Sequence, residues 1–388
     1  MFTGLRVFPV LILMVIMFCY PREVLTSAST GLSLWVNYVL PALFPFFIIS
    51  DLLMKQGFIH FLGVLLEPLM RPLFRLPGKA SFVLAMTHTA GIPIGAILTC
   101  KMRKEGEITK AEGERLLAFT CNPSPGFMFG AVASGMLGNP ALGIIIAGSV
   151  YIANLFVGLI FRFYGKNSPY RKINFSWREA WFEMESVQKK NKKTLGEMIA
   201  EAVRESISTI LLVGGFIVLF SVITHMLNVL QISTKFAEGI AIITGGRISP
   251  SGGNALVQGF METTLGCQAT IAAFSSINSQ IGMLVFLLGW GGLSVFAQVA
   301  SFTASTDLRL FPFFLGRVLH SFLALITSQI LLHFTAIPTM LPQSLTDRSY
   351  LWLYSLRWST LCFVLMFFFL LLIAFFSVFW LKAKKVKT

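Results

Sequence analysis

Apolar residues in this chain come in long runs separated by short polar stretches, not in the alternation of a half-buried strand. Crossing a bilayer core takes about 20 mostly apolar residues in helical form. Runs near that length recur at 7–20, 33–55, 115–137, 140–164, 207–231, 279–306, 311–335 and 352–381. Two further apolar stretches, 80–100 and 253–276, are interrupted by glycine, proline or polar residues. Irregular backbone at membrane depth survives only where protein or trapped water satisfies it, so these two read as re-entrant hairpins. The pattern predicts an all-α polytopic membrane protein with about eight transmembrane helices and two re-entrant hairpins in an inverted repeat. The first run follows Arg6 like a signal sequence, but no small-residue cleavage pattern follows it, and it reads as a retained helix.

Composition agrees. Hydrophobic residues make up 55% of the 388, charged residues 12%, and mean hydropathy is +0.76. A soluble domain carries about a quarter charged residues. The net charge of +14 suggests nucleic acid at first sight. The basic residues instead lie between apolar spans, which is membrane topology. With the N-terminus inside, only Arg22, Lys235, Arg247, Arg348 and Arg357 of the 31 basic residues fall outside. The inside collects Lys101, Arg103 and Lys104, then Lys189, Lys190, Lys192 and Lys193, and the tail with Lys382, Lys384, Lys385 and Lys387. Both termini are therefore expected to be cytoplasmic.

The expected units are an N-terminal helix and external loop (1–32), a first repeat (33–165), a basic cytoplasmic linker with amphipathic helices (166–206), a second, inverted repeat (207–336), and an external loop, last helix and basic tail (337–388). In the linker, Ser176 and Glu179 form an S-x-x-E capping box before a face of Trp177, Ala180, Trp181, Met184 and Val187. Thr109 and Glu112 form a second box, and Glu197, Glu201 and Glu205 a solvated stripe. The five cysteines, Cys19, Cys100, Cys121, Cys267 and Cys362, are scattered and show no metal or disulfide spacing.

Each half holds a spanning helix, a hairpin, a broken helix and an intact helix. The first hairpin contains Thr89-Ala90-Gly91-Ile92-Pro93-Ile94-Gly95, and its broken helix Cys121-Asn122-Pro123-Ser124-Pro125-Gly126. The second contains Met261-Glu262-Thr263-Thr264-Leu265-Gly266, and its broken helix Gly289-Trp290-Gly291-Gly292-Leu293-Ser294. Inverted repeats bring such breaks to the bilayer midplane, where exposed N–H groups and half-helix dipoles bind polar solutes. The plain alternative is a set of kinks in packed helices; four in matching order favour a binding site.

The run Leu66-Glu67-Pro68-Leu69-Met70-Arg71-Pro72-Leu73-Phe74-Arg75-Leu76-Pro77-Gly78 resembles the signature of the YlbJ family of sporulation integral membrane proteins, also called the stage V sporulation protein VV family. Pro41 to Phe47, the hairpin at 91–95, Asn122-Pro123-Ser124-Pro125, and Gly291-Gly292-Leu293-Ser294-Val295 with Gln298 are similar to it too. The resemblance spans roughly residues 31–335. It implies a nucleoside-recognition or gate domain organised like concentrative nucleoside transporters. It also implies export of dipicolinic acid from the mother cell across the outer forespore membrane. The chain departs from the family pattern at Ala90 and Ile92, which puts solute contact there in doubt; His88 either compensates or is a packed histidine.

Dipicolinate is a flat pyridine with two carboxylates. The expected substrate-binding set is Thr89, Gly91, Pro93, Asn122, Pro123, Ser124, Thr263, Thr264, Gly291, Gly292, Ser294 and Gln298, against the alternative that the polar ones only bond neighbouring helices. Glu262, an acid inside a membrane segment, is the candidate for coupling or gating. A coupling proton or sodium ion is the one cofactor considered, and no metal is expected. Asp307 and Arg309 are expected to pair with each other or with water, Asp51 with Lys55 or solvent, and Arg317 either to meet a carboxylate or to reach the headgroups. No HExxH, GxSxG or paired intramembrane aspartates support an enzyme. The expected partners are the anionic solute and the bilayer, without nucleic acid and with a homo-oligomer left open. The alternatives are transport of nucleosides or another small polar metabolite, or a structural part in spore maturation.

Overall fold

The computed structural model describes residues 7–165, 176–191 and 193–334. The expected crossing at 352–381, the basic tail and Cys362 lie outside the described residues. Those described form sixteen α-helices and two π-helical stretches, with no strand among them.

Helices α1 (Val7–Cys19) and α2 (Pro21–Leu34) meet at a bend of 104°. Pro21 stands at the first turn of α2, where its missing N–H does no harm to α2 but ends α1. A π-helical turn, Trp35–Val39, joins α2 to α3 (Leu40–Lys55), just ahead of Pro41 and Pro45, which remove two helix donors. The expected crossing at 33–55 is therefore the second half of a longer, bulged helix. Gly57, at φ 76°, turns the chain by 81° into α4 (Phe58–Phe74).

The first hairpin consists of α5 (Ala80–Thr89) and α6 (Ile94–Lys104), packed on each other. The capping box of Thr109 and Glu112, with both hydrogen bonds formed, starts α7 (Lys110–Phe119). Residues 120–124 are not helical, and a second π-helical stretch, Gly126–Met136, follows. The run at 115–137 is thus a broken element and not one continuous helix. Helix α8 (Leu142–Phe161) closes the first half.

Helix α9 (Trp177–Lys190) packs on α4: Ala180 joins Val64 and Leu65, and the rings of Trp177 and Trp181 lie 5.9 and 6.1 Å from Phe61. A complete capping box of Thr194 and Glu197 opens α10 (Leu195–Val229), so Glu197 is a cap as well as part of the acidic stripe. The second half continues with α11 (Ile232–Ile243), the hairpin α12 (Pro250–Met261) and α13 (Thr263–Ala273), the broken pair α14 (Ile277–Trp290) and α15 (Gly292–Thr303), and α16 (Leu310–Phe334).

The order of elements recurs, with one member more than the sequence suggested. Both α4 and α11 follow a spanning helix, and both are entered through a left-handed residue, Gly57 or Gln231. Equivalent helices also meet across the halves, α3 on α10 and α8 on α16. By length and composition α8, α10, the α14–α15 pair and α16 can cross a membrane, and the two bent pairs raise the number among the described residues to six. The described residues thus account for four to six of the eight expected crossings.

Candidate functional site

All four expected interruptions are present. The first hairpin reverses at 90–93, with Gly91 at φ 90°, and the second at the single residue Glu262. The first broken helix unwinds at 120–124, and the second turns on Gly291 and Gly292, at φ 88° and 80°. Positive φ is readily open only to glycine, so this last break is written directly into the glycine pair.

Each tip seats on the break of its own half. A Cβ on Gly91 would stand 2.6 Å from the backbone nitrogen of Ser124, and one on Gly292 3.1 Å from both the nitrogen and the Oγ1 of Thr263. The first tip is further fixed by Thr87, which donates to the Thr120 carbonyl, and by Gly95, pressed against that same carbonyl. The two halves meet through an apolar cluster: Ile92 and Ala96 of hairpin one pack with Cys121 and with Val295, Phe296 and Val299 of α15.

The candidate residues have distinct surroundings. Asn122 is fully buried; its Nδ2 donates to the Phe119 carbonyl at 3.4 Å while Oδ1 has no partner. The Ser124 hydroxyl accepts from Phe127 N at 3.2 Å, and the Pro123 carbonyl accepts from the Tyr151 hydroxyl at 3.3 Å. The Thr89 hydroxyl turns back to the carbonyls of Ala85 and Met86 in its own helix. On the second side Thr263 is buried with its hydroxyl unpartnered, Thr264 is half-buried, and Ser294 and Gln298 are buried one turn apart on α15. Glu262, 5% exposed, ends α12 and caps α13, accepting from Leu265 N at 2.8 Å. A carboxylate there meets the positive end of the helix dipole.

Two side chains to which the sequence reading gave no role, and a third that it placed at the headgroups or against a carboxylate, belong to this region. The Tyr151 hydroxyl bonds the carbonyls of His88 and Pro123, tying tip one to break one. Trp290 donates to the Phe260 carbonyl at 3.1 Å and stacks on its ring, tying α12 to break two. Arg317 does not reach the headgroups: it is fully buried and donates to the Cys121 carbonyl at break one. Its position, eight residues into an apolar helix, was the available signal.

A cavity of about 250 Å³ opens below the tips, where α6 and α15 diverge. Its walls include Lys101, Lys104, Ser301 and Ser305, on the basic side of the protein, and none of the twelve candidate residues. On that side Asp307 pairs with Arg103 at 2.9 Å and Arg309 with Glu114 at 2.9 Å, so the expected Asp307–Arg309 pair does not form. Asp51 does meet Lys55, at 2.6 Å, and also Lys101, at 2.7 Å. Glu201 and Glu205, expected to be solvated, lie 3.5 and 3.3 Å from Lys55.

Comparison with known proteins completes the description. The gate family, described as nucleoside recognition, matches residues 36–169. The chain is 40% identical over 309 residues to the sporulation integral membrane protein YlbJ of Bacillus subtilis (strain 168), covering 77% of this chain and 75% of that one. A shorter match, 36% over 90 residues, covers 22% of this chain and 19% of an uncharacterized protein of Alkalihalophilus pseudofirmus. No solved structure matches. Identity at that level over three quarters of both chains places this protein in the YlbJ family of sporulation integral membrane proteins.

Proposed function

We propose that this protein is a secondary transporter or facilitator that carries dipicolinic acid from the mother cell across the outer forespore membrane. The observation that carries the reading is the convergence of two hairpin tips and two helix breaks, with each tip seated on its own break and Ile92 meeting α15 across the halves. Paired broken elements supply unsatisfied backbone groups to a polar solute inside a bilayer. With each tip seated on its break and the cavity opening on the basic side, the arrangement corresponds to a closed midplane under a cytoplasmic antechamber. Lys104, which forms no ion pair among the described residues, gives that antechamber the charge to attract an anion, while Lys101 is held by Asp51. Glu262, at the second tip, is the residue that couples movement to a proton or sodium ion, or gates the hairpin.

The match of the gate family to residues 36–169 favours nucleosides as a second reading. Reconstituted vesicles loaded through the purified protein separate the two. Labelled dipicolinate is expected to cross and labelled uridine not to; the reverse result replaces the solute, and movement of neither leaves a structural role in spore maturation.

A further inference from the structure

Buried at break one is an arginine that no acid among the described residues balances. Arg317 is 0% exposed, and among the described residues no carboxylate pairs with it. Its guanidinium donates to the Cys121 carbonyl and to His320 Nδ1, while Nε has no partner. His320 adds no compensation. Its Nε2–H donates to the Val150 carbonyl at 2.8 Å, so Nδ1 is the lone-pair nitrogen of a neutral ring. An uncompensated charge removed from water is strongly destabilising.

The fold spends small residues to hold the arginine there. Gly316 presses on the Ala118 carbonyl of α7, and Gly289 of α14 presses on the backbone of Ser321, so α16 lies against both broken helices. Further unpaired polar atoms lie on the elements that meet at this segment. Asn122 Oδ1 is adjacent to the carbonyl that Arg317 holds. His88 Nε2 lies beyond a ring 4.8 Å from that of Tyr151. Both amide atoms of Asn154 are free one turn past Val150 on α8. Buried polar groups are nearly always satisfied, and four unsatisfied atoms on three side chains, beside a cation with a free Nε, mark a place for a ligand. Helix α8, the counterpart of α16, has no Lys, Arg or His between Leu142 and Phe161, so the charge belongs to one half alone.

We propose that Arg317 is the cationic anchor of a buried carboxylate site at the first helix break, in which a ligand carboxylate takes Nε and one terminal nitrogen of the guanidinium in place of the Cys121 carbonyl. The guanidinium fork matches a carboxylate with two parallel hydrogen bonds. The amide of Asn154 is a further donor, and Asn122 Oδ1 and His88 Nε2 accept an N–H, O–H or water of the ligand. The inference rests on the transporter reading only for which carboxylate fills the site.

Calorimetric titration of the purified full chain in detergent tests it, with dipicolinate, its neutral dimethyl ester, benzoate and uridine as probes. Dipicolinate is expected to bind, and the dimethyl ester at least tenfold more weakly. Arg317→Gln is expected to lower dipicolinate affinity by about 100-fold, in line with the loss of a charge-assisted pair. If Arg317→Gln is not recovered folded, Arg317→Lys decides, because an ammonium cannot form the paired bonds; at least a tenfold loss is expected. Unchanged dipicolinate affinity in the folded variant overturns the site while leaving dipicolinate transport standing. Benzoate binding that depends on Arg317, without dipicolinate binding, supports the site and removes dipicolinate as the solute. Binding of uridine alone overturns the site.

Discussion

Glu114 and Arg309, 195 residues apart in sequence, meet at 2.9 Å on the basic side of the protein. The Arg309 backbone N–H donates to the same carboxylate, and the Tyr164 hydroxyl donates to it at 2.7 Å. One buried carboxylate thus ties α7 of the first half to the start of α16 of the second. Beside it, Arg103 closes on both oxygens of Asp307, joining hairpin one to the loop after α15. These contacts cross the halves on the basic side of the protein.

Arg309→Gln leaves Glu114, 1% exposed at its side chain, with Tyr164 and one backbone donor. The variant is expected to melt roughly 2–4 °C below the parent in detergent, since breaking one partner of a buried acid is costlier than breaking a surface pair. Arg103→Gln, whose partner Asp307 is 47% exposed at its side chain, is expected to shift the melting temperature far less. Melting curves of the two variants side by side check the difference.

Glycine 95 offers a sharper test of how hairpin one is seated. A Cβ there would lie 1.5 Å from the Thr120 carbonyl oxygen, and that atom belongs to backbone. Gly95→Ala forces the hairpin off the break and is expected to cost roughly 1–3 kcal/mol through overpacking, with loss of solute movement. Gly215→Ala, with nothing within 4 Å, is the control and is expected to be silent in both readings. Equal melting temperatures for the two variants would contradict the tight docking.

Much of this was legible in the sequence because proline and glycine act locally. The breaks at 120–124 and at Gly291–Gly292 follow from Pro123 and Pro125 and from the paired glycines, whatever surrounds them. The turn at Glu262 was visible as polar residues inside an apolar run. Helix α4 was not, because Glu67, Arg71, Pro68 and Pro72 argue against a helix in a lipid-exposed stretch. Its charges are completed by partners outside the helix: Arg71 sits 2.6 Å from Glu67, one turn back, and also from Glu112 of α7, and Gly78 N donates to Glu67. Long-range pairing also explains Arg317. Its burial depends on Gly316 and Gly289 bringing three helices together, which no local pattern encodes. The placement of Asp307 with Arg103 instead of Arg309 has the same origin.

Acid should loosen the basic side in a defined window. Hydrogen bonding from His60, opposed by partial burial and helped by Lys79, holds the Glu107 carboxyl down at about 2, from an ordinary value of 4.5. A depressed carboxylate contributes its stability fully above the unfolded value and loses it as pH falls through the folded one. The Glu107 contribution is therefore present above about pH 4.5 and fades toward pH 2. At full weight the shift is worth ~3 kcal/mol, and partial exposure discounts this to about 1–2 kcal/mol. Glu107→Gln is expected to be less stable at pH 7 and to show a flatter decline between pH 4.5 and 2. Parallel slopes for parent and variant would show that Glu107 carries none of the acid sensitivity.

Glu262 presents a choice between capping and coupling that two variants resolve. Its carboxylate accepts from Leu265 N at the start of α13, so an oxygen at that position is needed for the tip to hold its shape. Glu262→Gln keeps an acceptor oxygen and removes the titratable group; Glu262→Ala removes both. The alanine variant is expected to lose about 1 kcal/mol as a cap is lost, with the glutamine variant much nearer the parent. A purely structural acid predicts that Glu262→Gln moves solute like the parent at every pH. A coupling or gating acid predicts that Glu262→Gln remains folded but loses the pH or sodium dependence of solute movement, because the group whose charge must change is gone. Vesicle flux measured from pH 5 to 8, with and without sodium, distinguishes the two, and a parent-like profile in Glu262→Gln removes Glu262 from the transport cycle.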